Sequence, residues 1–293
     1  MNTITHYPLI HCLAPVLQAP PHPITVNVIG AGGTGSHLVT LLADTTYVLN
    51  QLGHPGFHVR VFDADQITQP NIGKQRFSTA EIGMNKAEAV VTRINRYFGF
   101  GWEAEDRRFD EKLFEHDSGQ CHELYAQVTI SCVDEVGPRH GIARVLRASQ
   151  KRHIHPTRKP LYWIDCGNTN HTGQALLCTV GKVKQPKMKQ VRTVSAVPFV
   201  TKEFGHLMVD VPDTPSCSTW EALQKQDLFI NRAVALSAVR MLRELVVNLQ
   251  IAYRGSVINQ KTGFEVPVPF GDPDAVAPEA PRPRRKTRSG QHA

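Results

Sequence analysis

The chain has 293 residues, 41% hydrophobic and 20% charged, with a formal net charge of +7 and a pI near 9.2. That length holds one large α/β domain or two smaller ones, each with a sizeable buried core. No apolar run is long enough to cross a bilayer, Arg60 is the first basic residue, and the six cysteines include no C-x-x-C pair; these features argue against a membrane span, a secretory leader, a disulfide framework and a paired-cysteine zinc site, so a soluble cytoplasmic protein is expected.

Residues 1–23, punctuated by Pro8, Pro15, Pro20, Pro21 and Pro23, are expected to form an irregular N-terminal arm. The β-branched run ITVNVI over 24–29, stopped by Gly30, reads as a buried strand. A helix pattern follows over 36–51, weakened in its middle by Thr45, Thr46 and Tyr47. HVRVFD over 58–63 alternates like a second strand, 85–97 reads as a helix, VTISC over 128–132 as a buried strand and 142–150 as a helix. Two more strands are expected over 161–166 and 175–180. Strands alternating with helices predict βαβ units and a Rossmann-like, mostly parallel sheet flanked by helices, with the main domain over 24–270.

Beyond Val180 the alternation stops, and 181–219 is expected to be a long crossover segment, a length that points to function or disorder. Lys182, Lys184, Lys187, Lys189 and Arg192 form a basic run with no acid inside it. Such charge attracts polyanions (ATP, an acidic protein or nucleic acid) without identifying one, and a solvated basic surface explains it equally well. The strongest amphipathic helix pattern covers 229–249, followed by a hairpin with strands over 255–259 and 264–268. Residues 271–293 are rich in Pro, Ala and Arg and are expected to be a disordered tail.

The chemistry concentrates in the first half. Gly30, Gly32, Gly33 and Gly35, in GAGGTG over 30–35, follow a strand and open a helix. That context lets backbone amides at a helix N-terminus approach a phosphate closely. Asp63 ends the next predicted strand, where an acid commonly binds a ribose hydroxyl; up to this point NAD, FAD and ATP fit alike. Downstream lie Asp65, Asn71, Lys74, Gln75, Arg76 and Lys86. Cations and amides just past strand two suit a reaction at the α-phosphate of ATP, where charge builds on the phosphate oxygens. His153, His155, His171 and Cys166 match no zinc spacing, and no zinc is expected.

With GAGGTG at 30–35, DAD at 63–65, NIGKQ at 71–75, GMNK at 83–86 and CVDE at 132–135, the chain resembles the ThiF/MoeB/ubiquitin-activating superfamily over roughly 24–180 plus the helix after 217. The resemblance implies that Asp63 holds the ribose, Asn71 and Gln75 the phosphates, that Lys86 assists departure of pyrophosphate, and that Asp134 binds Mg²⁺. For Asp134 an N-cap at a strand-to-helix turn is a common alternative role, and the two are compatible. Cys217, in the crossover segment, is either an acceptor of the activated acyl group or an ordinary half-buried cysteine. Departures from the family pattern are Lys74 where the family has Arg, with Arg76 as the compensating cation, Glu135 where it has Asn, and no Arg in residues 1–59.

The segments PSCSTWEALQKQDLFIN and GSVINQKTGFEVPVP look like the ThiF-type member of the PRTRC cassettes of bacterial plasmids. The implied activity is ATP- and Mg²⁺-dependent adenylation of a small ubiquitin-like protein by a homodimer, beside conjugating-enzyme-like and JAB-type partners. Two other readings stay open: a non-catalytic ThiF-fold docking module in a plasmid-maintenance complex, with DNA as a contact, and an adenylating enzyme acting on tRNA.

Overall fold

Several of these strand runs are apolar on both faces, so each needs cover above and below the sheet. The computed structural model describes residues 9–114, 124–189, 191–208 and 227–271. The first half runs β1 (Leu9–Cys12), β2 (Ile24–Ile29), α1 (Gly33–Gln51), β3 (Phe57–Phe62), α2 (Lys86–Phe98), β4 (Glu103–Glu105), β5 (Val128–Ser131) and α3 (Val136–Ser149). The second half runs β6 (Tyr162–Asn168), β7 (Thr172–Thr179), β8 (Arg192–Thr193), α4 (Val200–Glu203), α5 (Ile230–Val247), β9 (Gln250–Ile251), β10 (Tyr253–Asn259) and β11 (Phe264–Pro269).

Among the described residues, eight strands make one sheet in the order β11-β10-β7-β6-β5-β2-β3-β4. From β6 to β4 every pair is parallel; from β6 out to β11 every pair is antiparallel. The α/β class and the helix-flanked, mostly parallel sheet therefore stand as the sequence predicts. The chain leaves β2 for β3 and β4 on one side, then returns to β5 on the other. The C-terminal ends of β2 and β5 thus flank the switch in winding direction, where open α/β sheets bind ligands.

Each face of the sheet has its own core. On one side Leu38 and Leu42 of α1, Val90 and Ile94 of α2, and Val234 and Leu242 of α5 pack over the parallel strands. On the other, Ile142 and Leu146 of α3 meet Trp163, with Phe62, Phe109 and Phe114 alongside. Two polar side chains inside the sheet are matched locally: the buried Asn27 side chain donates to the Leu124 carbonyl at 2.6 Å. The buried Trp163 indole donates to Ser131 Oγ at 2.7 Å.

The predicted irregular arm is corrected at one point. Leu9–Cys12 is a strand, parallel to β8 and antiparallel to β9, in a second, three-stranded sheet. Its anchor is His11, fully buried, with Nδ1 2.6 Å from the Val194 carbonyl oxygen and Nε2 3.1 Å from the Tyr162 hydroxyl. Cys12 N–H donates to Gln185 Oε1 and Gln185 Nε2 donates back to the Cys12 carbonyl, at 2.8 and 2.9 Å. The prolines at 15–23 mask this strand because they follow it rather than interrupt it. The expected crossover is structured as far as 208, with β8 and α4 inside it; its remainder, and the tail from 272 on, lie outside the described residues.

Leu38 is fully buried beneath α1, so Leu38→Ala is expected to destabilise the fold by about 2–5 kcal/mol. Urea unfolding measures this as a lower midpoint at unchanged slope; an unshifted midpoint would contradict the packing of α1.

Candidate functional site

The glycine turn is shaped by close approaches that a side chain would block. Gly30 has φ +91°, and a Cβ there would stand 2.7 Å from the Cys132 carbonyl oxygen. At Gly35 a Cβ would lie only 1.8 Å from the Gly30 carbonyl oxygen. The turn therefore folds tightly over the ends of β2 and β5, and α1 starts at Gly33 rather than at 36 as the sequence predicts. Gly32 has no atom nearer its Cβ position than Gln75 Nε2, at 3.9 Å. That side of the turn stays open above the amides that begin α1, which carry the positive end of the helix dipole.

Asp63, just past β3, is fixed by two backbone amides. Ala31 N–H donates to Oδ2 at 2.6 Å and Asp65 N–H to Oδ1 at 2.8 Å. Burial pushes this carboxyl up from its ordinary range, against the two amides and the Lys86 charge, which favour the ionised form. Each oxygen keeps lone pairs for the hydroxyls of an incoming ligand. Asp65 pairs with Lys86, Nζ to Oδ2 at 2.8 Å. The lysine side chain is 10% exposed and the aspartate 63%, so a desolvated cation leans on a wet carboxylate. Asn85 caps α2, its Oδ1 accepting from Glu88 N–H and its Nδ2 donating to the Asp63 carbonyl, which orients Lys86 at the first helical position.

The stretch from Asn71 to Arg76 closes over the turn, with its residues in different roles. Asn71 Oδ1 accepts from Thr68 N–H and Oγ1 at 2.8 and 3.0 Å, so this side chain shapes its own loop. Gln75 faces the glycines, and its buried Oε1 has no hydrogen-bond partner. As an amide oxygen, this atom can accept a hydrogen bond, while Nε2 toward Gly32 can donate one. Arg76 is exposed, and its N–H donates to Ser36 Oγ at 3.0 Å, tying the loop to α1. The Lys74 backbone hydrogen-bonds His37. Asp134 is exposed on the turn after β5, two residues beyond the Cys132 carbonyl that abuts Gly30. The N-cap position of α3 falls on Glu135, whose side chain makes no cap hydrogen bond. Cys217 lies outside the described residues; Cys132 and Cys166 are buried, in keeping with core positions.

Two contributors were invisible to motif reading. Asn231, in the first turn of α5, packs against Gly33 and accepts from Thr34 Oγ1 at 3.0 Å, while Asn168 Oδ1 accepts from the same hydroxyl at 3.2 Å. His37 on α1 is 7% exposed, and its pKa is pulled down to about 4 by burial and by the charges of Arg232 and Arg76, against the hydrogen bond to Lys74. No sequence signal links residues 231 and 232 to a glycine turn some two hundred positions earlier.

The family model for the ThiF family matches residues 22–211. The chain belongs to the ThiF family. No curated protein matches its sequence. Among solved structures it is similar to E. coli MccB with MccA, at TM-score 0.55 and 14% identity over 89% of this chain and 68% of that one. It is also similar to E. coli MccB with ATP, at TM-score 0.53 and 15% identity over 87% and 67%. A third is PaaA, at TM-score 0.51 and 13% identity over 84% and 72%. At such identities the likeness is one of fold. No helix among the described residues is long and apolar enough to cross a membrane.

His37 gives a pH dependence with a definite sign. Its folded pKa lies below the unfolded value, so the unfolded chain binds the extra proton as pH falls below about 6.5. The stability contributed by neutral His37 is full above that pH and is lost progressively down to about 4. Replacing it in His37→Asn is expected to flatten the fall in urea-unfolding free energy between those values; an unchanged slope would contradict a buried neutral imidazole.

Proposed function

We propose that this ThiF-family chain adenylates the C-terminal carboxylate of a small ubiquitin-like protein. The carrying observation is the convergence, on one open glycine turn, of the ribose-type acceptor Asp63, the desolvated Lys86 and the Gln75 amide, whose Nε2 donor faces Gly32. A hydride-transfer site has use for the turn and Asp63 but none for a cation at Lys86. The likeness to MccB solved with ATP and to MccB solved with MccA supports a nucleotide and a peptide as the two substrates. The substrate's ubiquitin-like character rests on the family resemblance and on the narrower PRTRC likeness of the C-terminal segments.

In this reading the α1 amides and the Gln75 Nε2 donate to the phosphates, and Asp63 accepts from the ribose hydroxyls. The terminal carboxylate oxygen forms a bond to the α-phosphorus as the bond to the bridging β-phosphate oxygen breaks. Acyl-adenylate and pyrophosphate are the products. Lys86, with Arg76 and Lys74 on the closing loop, offsets the charge that grows on the departing pyrophosphate. Mg²⁺ fits Asp134: a hard, exposed carboxylate beside the turn is the usual protein share of a Mg²⁺ shell completed by phosphates and water. When bound, the ion supplies further neutralisation of phosphate charge. No group of three or more metal-ligating side chains occurs among the described residues, so an all-protein cage is not part of this reading. Cys217 is assigned the later step: its thiolate attacks the acyl carbon and AMP leaves, giving a thioester.

ATP–pyrophosphate exchange tests this. Exchange should require the ubiquitin-like partner, fall by on the order of 10²–10³ in Lys86→Ala, and fall sharply in Asp134→Ala. Cys217→Ala should keep exchange while losing a thiol-labile conjugate with the partner. Absence of exchange, with partner binding confirmed, would sink the enzymatic reading and leave a docking module.

A further inference from the structure

The charge of this protein is not spread over its surface. Residues 136–202 hold thirteen lysines and arginines and a single acid, Asp165, whereas the rest of the chain carries more acids than bases. Asp165 is fully buried and already engaged by Arg139 at 2.9 Å, so it shields nothing outside. Arg139 is paired with Asp165 beside Val133 and Arg144 with Glu111, but the fold gathers another part of this charge at one end. α3 begins at the C-terminal edge of the parallel strands and runs to the opposite edge, carrying Arg147 and Lys151 there. Thr179 pairs with Tyr162 at the start of β6, which brings Gly181 and Lys182 to that same edge.

Arg147, Lys182 and Lys202 line one cleft of about 410 Å³ there, from three separate chain segments and with no acid in its lining. The Arg147 guanidinium is held over the Phe199 ring at 5.2 Å, which fixes its position without neutralising it. Among the described residues, no carboxylate pairs with Arg147, Lys151, Lys182 or Lys202. Cations at the end of α3 also complement its dipole. That accounts for Arg147 and Lys151 but not for Lys182 and Lys202, which come from elsewhere in the chain.

We propose that this edge binds a nucleic-acid phosphate backbone. The glycine turn lies at the other edge, so steering of ATP does not explain the charge. A field of one sign, drawn from three segments in one cleft and followed in the chain by the exposed Lys184, Lys187 and Lys189, matches a ligand with regularly repeated negative charge. The phosphodiester chain is common to DNA and RNA, so the test carries both.

Anisotropy of labelled duplex DNA and single-stranded RNA, each about 24 nucleotides of mixed sequence, is followed with the full chain from about 50 to 300 mM KCl. Binding is expected to weaken linearly in log–log form with salt. The Lys151→Gln/Lys182→Gln/Lys202→Gln variant should bind at least about tenfold more weakly, with a slope smaller by about 2–3. Arg147→Lys should retain affinity where Arg147→Gln loses it, and Lys261→Gln at the opposite edge should change nothing. Preference for one probe identifies the source, with the proposal upheld by either. No binding to either probe at the lowest salt, full binding by the triple variant, or displacement by poly-glutamate at equal charge would overturn it.

Discussion

Gly30 lies against the carbonyl of Cys132, and most of what is distinctive in this molecule depends on that approach. Gly30 N–H donates to the Phe62 carbonyl and Cys132 N–H to the Ile29 carbonyl, both at 2.8 Å, so the ends of β2, β3 and β5 are stitched together at one point. A side chain at Gly30 would meet the carbonyl within 2.7 Å and would also be strained by the positive φ. The turn can then rise at once into α1, with Gly35 passing the Gly30 carbonyl. Asp63 reaches Ala31 only because β3 ends at the same height. Asn231 from α5 completes the enclosure from the helix side, through Gly33 and Thr34.

Charge is arranged around that turn so that a phosphate would displace little. Lys86 has already lost most of its water, while the carboxylate that holds it remains in solvent. Desolvating an ammonium is costly, and here the fold has met that cost before any ligand arrives. His37 adds to the picture by staying neutral between Arg76 and Arg232, so it does not repel those cations as an imidazolium would. The cleft lined by Arg147, Lys182 and Lys202 sits at the other edge of the sheet, apart from the glycine turn.

The strands and the turn were legible because their causes are local. ITVNVI, VTIS and the glycine spacing state burial and backbone freedom directly in residue type. Helix starts were less legible: α3 begins at Val136, six residues before the predicted start, because Gly137, Pro138 and Gly141 hide a helix whose first turn tolerates proline. β1 was invisible because its reason to exist is His11 meeting Val194 and Tyr162, contacts that span the chain. Around the turn, motif spacing was enough to bring Asp63 and Lys86 near the glycines, as the structure has them. Asn71 could be placed there but not given its role, since its side chain is consumed by the Thr68 turn. Asn231 and His37 act through tertiary contacts alone, which no spacing encodes.

The central claim is that the open side of the Gly30–Gly35 turn is a nucleotide site. Co-crystallisation with a non-cleavable ATP analogue and Mg²⁺ tests it most directly. The account predicts ribose hydroxyls on the Asp63 carboxylate, phosphate oxygens on the first amides of α1 with Gln75 and Lys86 in contact, and the ion on Asp134. Nucleotide bound at another edge of the sheet, or a glycine turn left empty at saturating analogue, would contradict it.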